Sequence, residues 1–147
     1  MATSISARLR AGVATTTAEE MKRLARGWAM ELPGDTTLAL HGDLGAGKTT
    51  FVQGLAEGLG VKERVTSPTF TLFNVHRGTH VTLVHFDAYR LGDSAQVEAL
   101  MIEDFLASPW ILAVEWPEKV AAWLPPKAWH LDLAITDNQR HTIRLRG

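Results

Sequence analysis

The stretch HGDLGAGKTT at positions 41–50 combines three glycines, one lysine and two threonines. Gly42, Gly47, Lys48 and Thr49 fit the pattern G-x-x-x-x-G-K-[ST], and each residue type has a mechanical reason for its place. Glycine permits tight turns and lets backbone N–H groups approach an anion that a Cβ would hold off. Asp43, Leu44, Gly45, Ala46 and Gly47 therefore read as a wrap around phosphates, with Thr50 just beyond. Lys48 supplies a mobile cation for the β- and γ-phosphates, and the Thr49 hydroxyl a ligand for Mg²⁺. A helix beginning near Lys48 adds the partial positive charge of its N-terminus. The expected ligand is a nucleoside tri- or diphosphate.

Hydrolysis asks for more: an acid on the metal side and a group that positions water. Two acids close β-like runs. Glu115 ends WILAVE, where five uncharged residues precede it, and Asp87 ends HVTLVHFD. Glu115 is assigned to Mg²⁺, directly or through water, and Asp87 to ordering water or Mg²⁺; the sequence leaves open which is the main metal ligand. Arg90, three residues after Asp87, is a candidate for the γ-phosphate or for a surface ion pair. Trp116, next to Glu115, is a candidate for stacking near the nucleotide, for a partner contact or for the core. No guanine-reading N-K-x-D is present, which argues against a GTPase. His76, His80 and His85 suggest a metal cluster only by proximity and are expected to be solvated or satisfied within the core.

These residues need elements to position them. Residues 36–41, TTLALH, read as a strand running into the glycine loop, and TTFVQGLAEGLG places Phe51, Val52, Leu55 and Leu59 at helical spacing before Gly60. Upstream, TAEEMKRLARGWAMEL reads as a helix with Thr17 as N-cap, acids in its first turn, and Met21, Leu24, Ala25 and Trp28 on one face. TFTLFNVH and HVTLVHFD flank a short linker and predict a β-hairpin. Residues 94–106 return to helical spacing from a capping Ser94. Residues 110–115 form a compact apolar run of the kind buried on both sheet faces. Pro117 opens a short helix, PEKVAAWL, and the tail predicts a second hairpin within residues 126–147. Ile5, Ala7 and Leu9 alternate with Ser6, Arg8 and Arg10, which predicts a half-exposed strand within an N-terminal extension, residues 1–16. The order predicts an α/β fold, a P-loop NTPase-like mixed sheet flanked by helices, in a single domain over residues 1–147.

Composition narrows the partners. The 147 residues are 46% hydrophobic and 21% charged with a formal net charge of -1, so no global basic field recruits nucleic acid by counterion release. There is no cysteine, which removes disulfides, thiolate metal sites and cysteine nucleophiles and suits a reducing compartment. No apolar run approaches the roughly 20 residues that span a bilayer. The acid-free, Arg- and Ser/Thr-containing start is read as structure and not as a transit peptide, and a cytoplasmic location is expected.

GDLGAGKTTF, VTSPTFTL, HFDAYRL and VEWPEK, in this order and in a chain this short, closely resemble the TsaE (YjeE) family. The resemblance runs over residues 17–124 and more weakly through the last hairpin. It implies an Mg²⁺-dependent ATPase, binding ATP and ADP, weak alone and working with the TsaD and TsaB proteins. Their complex transfers a threonylcarbamoyl group to the adenosine beside the anticodon in tRNAs that read codons starting with A. The implied role of the ATP cycle is to reset that transferase, with tRNA contacted only indirectly and no membrane involved. By resemblance, residues 45–50 hold the phosphates, Thr49 and Glu115 hold Mg²⁺, and Asp87 is the second essential acid alongside Lys48. Thr17 falls near the base, and Arg140 where a basic residue covers the adenine. Ser67, Pro68 and Thr69 match a switch-like segment: Pro68 fixes its own φ and restrains Ser67, leaving the Thr69 hydroxyl to sense the γ-phosphate side. Tyr89 belongs to the H-x-D-x-Y-R-L stretch and joins Arg90 and Trp116 as a further candidate. The sequence departs from the family pattern at Ala88, where leucine is common, and at Met101, where glycine is frequent. The rival readings are a small-molecule kinase and a nucleotide-dependent binding module.

Overall fold

The computed structural model describes residues 4–68, 72–92 and 94–147. Its frame is a seven-stranded mixed sheet: β1 (Val13–Thr15), β2 (Thr36–His41), β3 (Phe73–Arg77), β4 (Thr82–Asp87), β5 (Trp110–Glu115), β6 (Trp129–Ile135) and β7 (His141–Leu145), in the spatial order β1-β7-β6-β2-β5-β4-β3. The strands β6, β2, β5 and β4 run parallel, while β3, β7 and β1 add antiparallel edges. β2 and β5 sit in the middle and are buried along most of their length, with apolar residues turned to both faces. Leu38, Leu40, Ile111 and Ala113 enter one core cluster, and Leu112 and Val114 enter the other.

The first cluster is covered by α2 (Ala18–Ala29) and α3 (Lys48–Gly58). In α2 the Thr17 hydroxyl accepts the Glu20 N–H, and Met21, Leu24, Ala25 and Trp28 form its buried stripe. Phe51, Val52 and Leu55 form the stripe of α3, each contributing about 1.5–3 kcal/mol by leaving water. The two helices meet closely because Gly54 offers no side chain: a Cβ there would lie 2.5 Å from the Lys22 carbonyl oxygen.

Two expectations are corrected. Residues predicted as a half-exposed strand form α1 (Ile5–Ala11), and the edge strand is the shorter β1 after it. Ile5 and Leu9 are spaced by two turns of alternation but also by one helical turn, and tertiary partners decide. Ser4 caps the Ala7 N–H, the Glu31 carboxylate accepts the N–H groups of Ile5 and Ser6 at 2.7 and 3.1 Å, and buried Trp28 donates to the Ser6 hydroxyl at 2.8 Å. The helix predicted over residues 94–106 is broken into α4 (Ser94–Glu98) and a 3-10 turn, Ile102–Phe105. Met101 between them has φ 54°, ψ 43°, the left-handed conformation that glycine adopts most cheaply. With a second 3-10 turn, Pro117–Val120, these pieces cover the other face around Val84, Phe86, Leu112 and Val114. No helix among the described residues is long and apolar enough to cross a membrane.

Candidate functional site

The glycine loop leaves the C-terminal end of β2 and closes on the N-terminus of α3, where ligands collect in parallel α/β sheets. Gly47, the cap of α3, has φ 103°, and a Cβ there would lie 2.7 Å from the Met21 methyl carbon. The loop is braced from the sheet edge as well: His141 Nδ1 donates to the Ala46 carbonyl at 3.0 Å. His41, just before the loop, lies with Nε2 2.8 Å from His130 Nδ1. Burial, aided by Arg146 and His130, lowers the His41 pKa below the usual histidine value against the opposing pull of Glu118 and Asp132.

Lys48 is buried, its Nζ donating to the Gly42 carbonyl and sitting 3.7 Å from the centre of the Trp116 ring. Burial lowers its pKa from the ordinary lysine value, against the opposing attraction of Glu115, Glu118, Asp87 and Asp43. Trp116 reaches this position from a left-handed backbone, φ 58°, and its ring also packs against Tyr89 at 5.0 Å.

The two acids are cross-strand partners, since Asp87 at the end of β4 pairs with Glu115 at the end of β5. Glu115 is buried, and its Oε2 accepts both the Thr49 hydroxyl at 3.1 Å and His85 Nε2 at 2.5 Å. Asp87 is more open: Oδ1 accepts the Tyr89 N–H at 2.9 Å and Oδ2 accepts the Ser67 hydroxyl at 3.5 Å.

A cavity of about 410 Å³ gathers Leu44, Gly45, Gly47, Lys48, Thr49, Thr50, Ser67, Asp87, Tyr89, Arg90, Glu115 and Trp116. Asp43 and Ala46 line a neighbouring cavity of about 590 Å³, which Leu44 and Trp116 share with the first. Thr17, Pro68 and Arg140 line neither; Thr17 is engaged as the helix cap and Arg140 lies at the turn between β6 and β7. Thr69 lies outside the described residues. Two histidines at the site were not anticipated. His141 lines the first cavity, while His85 touches Glu115; the H-F-D alternation, which turns His85 and Asp87 to one face, is the signal that was available for His85. His76 pairs instead with Glu63 at 2.8 Å, so the histidines form no cluster.

Hydroxyl and carboxylate oxygens at one point are hard donors of the kind Mg²⁺ prefers. Among the described residues no group of three or more His, Asp or Glu side chains is arranged to hold a metal by itself. Mg²⁺ is usually held by one or two protein oxygens together with substrate phosphates. Thr49 and Glu115 fit that description.

Comparison with known proteins gives consistent results. A family model described as threonylcarbamoyl adenosine biosynthesis protein TsaE matches residues 15–143. A tRNA threonylcarbamoyladenosine biosynthesis protein TsaE from Synechocystis is 46% identical over 63% of this chain and 60% of its own length. Here the chain spans less than two thirds of the relative. The Bacillus subtilis protein of that name is 41% identical over 76% of this chain and 69% of its own, and the Aquifex aeolicus one 38% over 86% and 89%. A crystal structure of Bacillus subtilis YdiB superposes with a TM-score of 0.76 at 30% identity, covering 90% of this chain and 81% of that one.

Proposed function

The chain belongs to the TsaE family, and on that premise we propose that it binds Mg-ATP and hydrolyses it slowly in support of threonylcarbamoyl modification of tRNA. The observation that carries this reading is the meeting of Thr49 with Glu115 at 3.1 Å, directly across from Asp87, where the phosphate loop enters α3. Loop N–H groups and the N-terminus of α3 hold the phosphates. Lys48 exchanges the Gly42 carbonyl for the β- and γ-phosphates, and Trp116 yields its place over the amine. Thr49 and Glu115 would hold Mg²⁺, which when bound would neutralise charge on the phosphate oxygens. Asp87, the more solvent-open acid, orients the attacking water, and Arg90 faces the same cavity.

The hydrolytic cycle resets a partner complex of TsaD and TsaB, which carries out the transfer to the adenosine beside the anticodon. A net charge of -1 fits tRNA contact through those partners better than through this chain. The test is a reconstituted modification assay with TsaD, TsaB and excess tRNA. With this chain and ATP, modified tRNA should exceed the transferase concentration; with Lys48→Ala it should stop near one equivalent. Equal yield without the chain would contradict the reading.

A further inference from the structure

His85 is completely buried, yet it lies in a strand whose neighbours Val84 and Phe86 are core hydrophobics. An imidazole in such a place costs free energy unless its polar atoms are paired. Only one of them is. Nε2 meets Glu115 Oε2, while Nδ1 has no hydrogen-bond partner among the described residues. A carboxylate only accepts, so Nε2 carries the hydrogen of this contact. The side chain therefore ties neither backbone nor strand to anything; its single polar contact is the acid of the nucleotide site.

We propose that His85 is a positioning residue for Glu115. Strand alternation turns His85 and Asp87 to the face on which Glu115 meets Thr49. Two donors, the His85 ring and the Thr49 hydroxyl, then converge on the same carboxylate oxygen. The ring holds that carboxylate in one rotamer before any ligand arrives, so metal binding need not order it. Outer hydrogen bonds of this kind typically change metal affinity 10- to 100-fold when removed. The inference rests on the reading that Glu115 serves the Mg²⁺ side.

The experiment uses the full chain carrying His85→Leu, His85→Gln or Glu115→Gln. A fluorescent ADP analogue is titrated in EDTA and then across a Mg²⁺ series, with the melting temperature of the ligand-free protein measured in parallel. His85→Leu should keep its melting temperature and its affinity in EDTA, but raise the half-point in Mg²⁺ by roughly tenfold. The longer amide of His85→Gln places a donor near Nε2 and should return the half-point to within about threefold. If the leucine variant does not fold, His85→Asn takes its place, since that amide is too short to reach Oε2. A half-point unchanged in His85→Leu or His85→Asn while Glu115→Gln shifts it overturns the positioning role alone. No shift in Glu115→Gln overturns the metal assignment, and the role of His85 with it.

Discussion

Thr49 at the start of α3 donates its hydroxyl to Glu115 Oε2 at the end of β5, 3.1 Å away and 66 residues apart in sequence. This contact joins the phosphate loop to the acid strand. Thr49→Val keeps the shape and removes the hydroxyl. Its affinity for nucleotide in EDTA should stay near that of the parent, and its half-point in Mg²⁺ should rise about tenfold or more. Calorimetric titration with and without Mg²⁺ measures both. Equal losses in the two conditions would assign Thr49 to the phosphates instead.

Lys48 is charged, buried and held by a carbonyl and an indole. Lys48→Ala should lower nucleotide affinity at least about 100-fold, the loss of a charge-assisted contact of roughly 3 kcal/mol. Unfolding should be little affected, because removing a partly desolvated cation also removes its cost. Equilibrium binding and urea melts of the same preparation separate the two effects. A large drop in stability with affinity intact would contradict the assignment.

Gly54 sits where α3 crosses α2, and a Cβ there would meet the Lys22 carbonyl at 2.5 Å and the Ala25 methyl at 2.8 Å. Alanine would favour an isolated helix by about 1 kcal/mol. Here the helices must separate, at a cost of about 1–3 kcal/mol. Gly54→Ala should therefore lower stability in a urea melt, with a stabilised variant as the contrary result.

The Glu31 carboxylate accepts two backbone N–H groups at the start of α1. The Ile5 N–H, chiefly, holds its pKa below the usual glutamate value, with the Ser6 N–H and hydroxyl adding to the effect against slight burial. A depressed folded pKa stabilises above the unfolded value and is lost as pH falls through the folded one. The protection of the amides of residues 5–11, measured relative to their intrinsic exchange rates, should thus fall as the pH drops below about 4.5, and in Glu31→Gln that acid-dependent loss should disappear. The exposed position keeps the effect at or below about 1 kcal/mol. An identical acid response in the glutamine variant would assign it elsewhere.

The central part of the fold was legible because its signals are local. The glycine loop is marked by its own residue pattern, the apolar run of β5 announces two covered faces, and Thr17 caps α2 from within one turn. Of the candidate site, what the structure adds is proximity: Lys48, Thr49, Asp87 and Glu115, singled out by residue type, line one cavity. The failures have a common cause in contacts made at a distance. Ile5 and Leu9 suit either period until Glu31 and Trp28 select the helix. Met101 is the exception: methionine ordinarily continues a helix, so the residue type hides the left-handed turn made there, and the glycine frequent at this position in the family was the sign of it. His85 was read as solvated or satisfied within the core; it is buried, and the parallel pairing of β4 with β5, which sequence does not show, brings it to Glu115. Sequence also gave no sign that Trp116 would lie over the Lys48 amine.

The most direct test of ATP hydrolysis at this site is a single-turnover experiment with γ-labelled ATP, this chain in excess, and Mg²⁺, with and without the TsaD–TsaB pair. The account predicts that label appears as inorganic phosphate, that the pair accelerates its release, and that Glu115→Gln abolishes the acceleration. Label transferred to an added small molecule would instead show a kinase, and ATP remaining intact and bound with the pair present would show a binding module; either result would contradict the account.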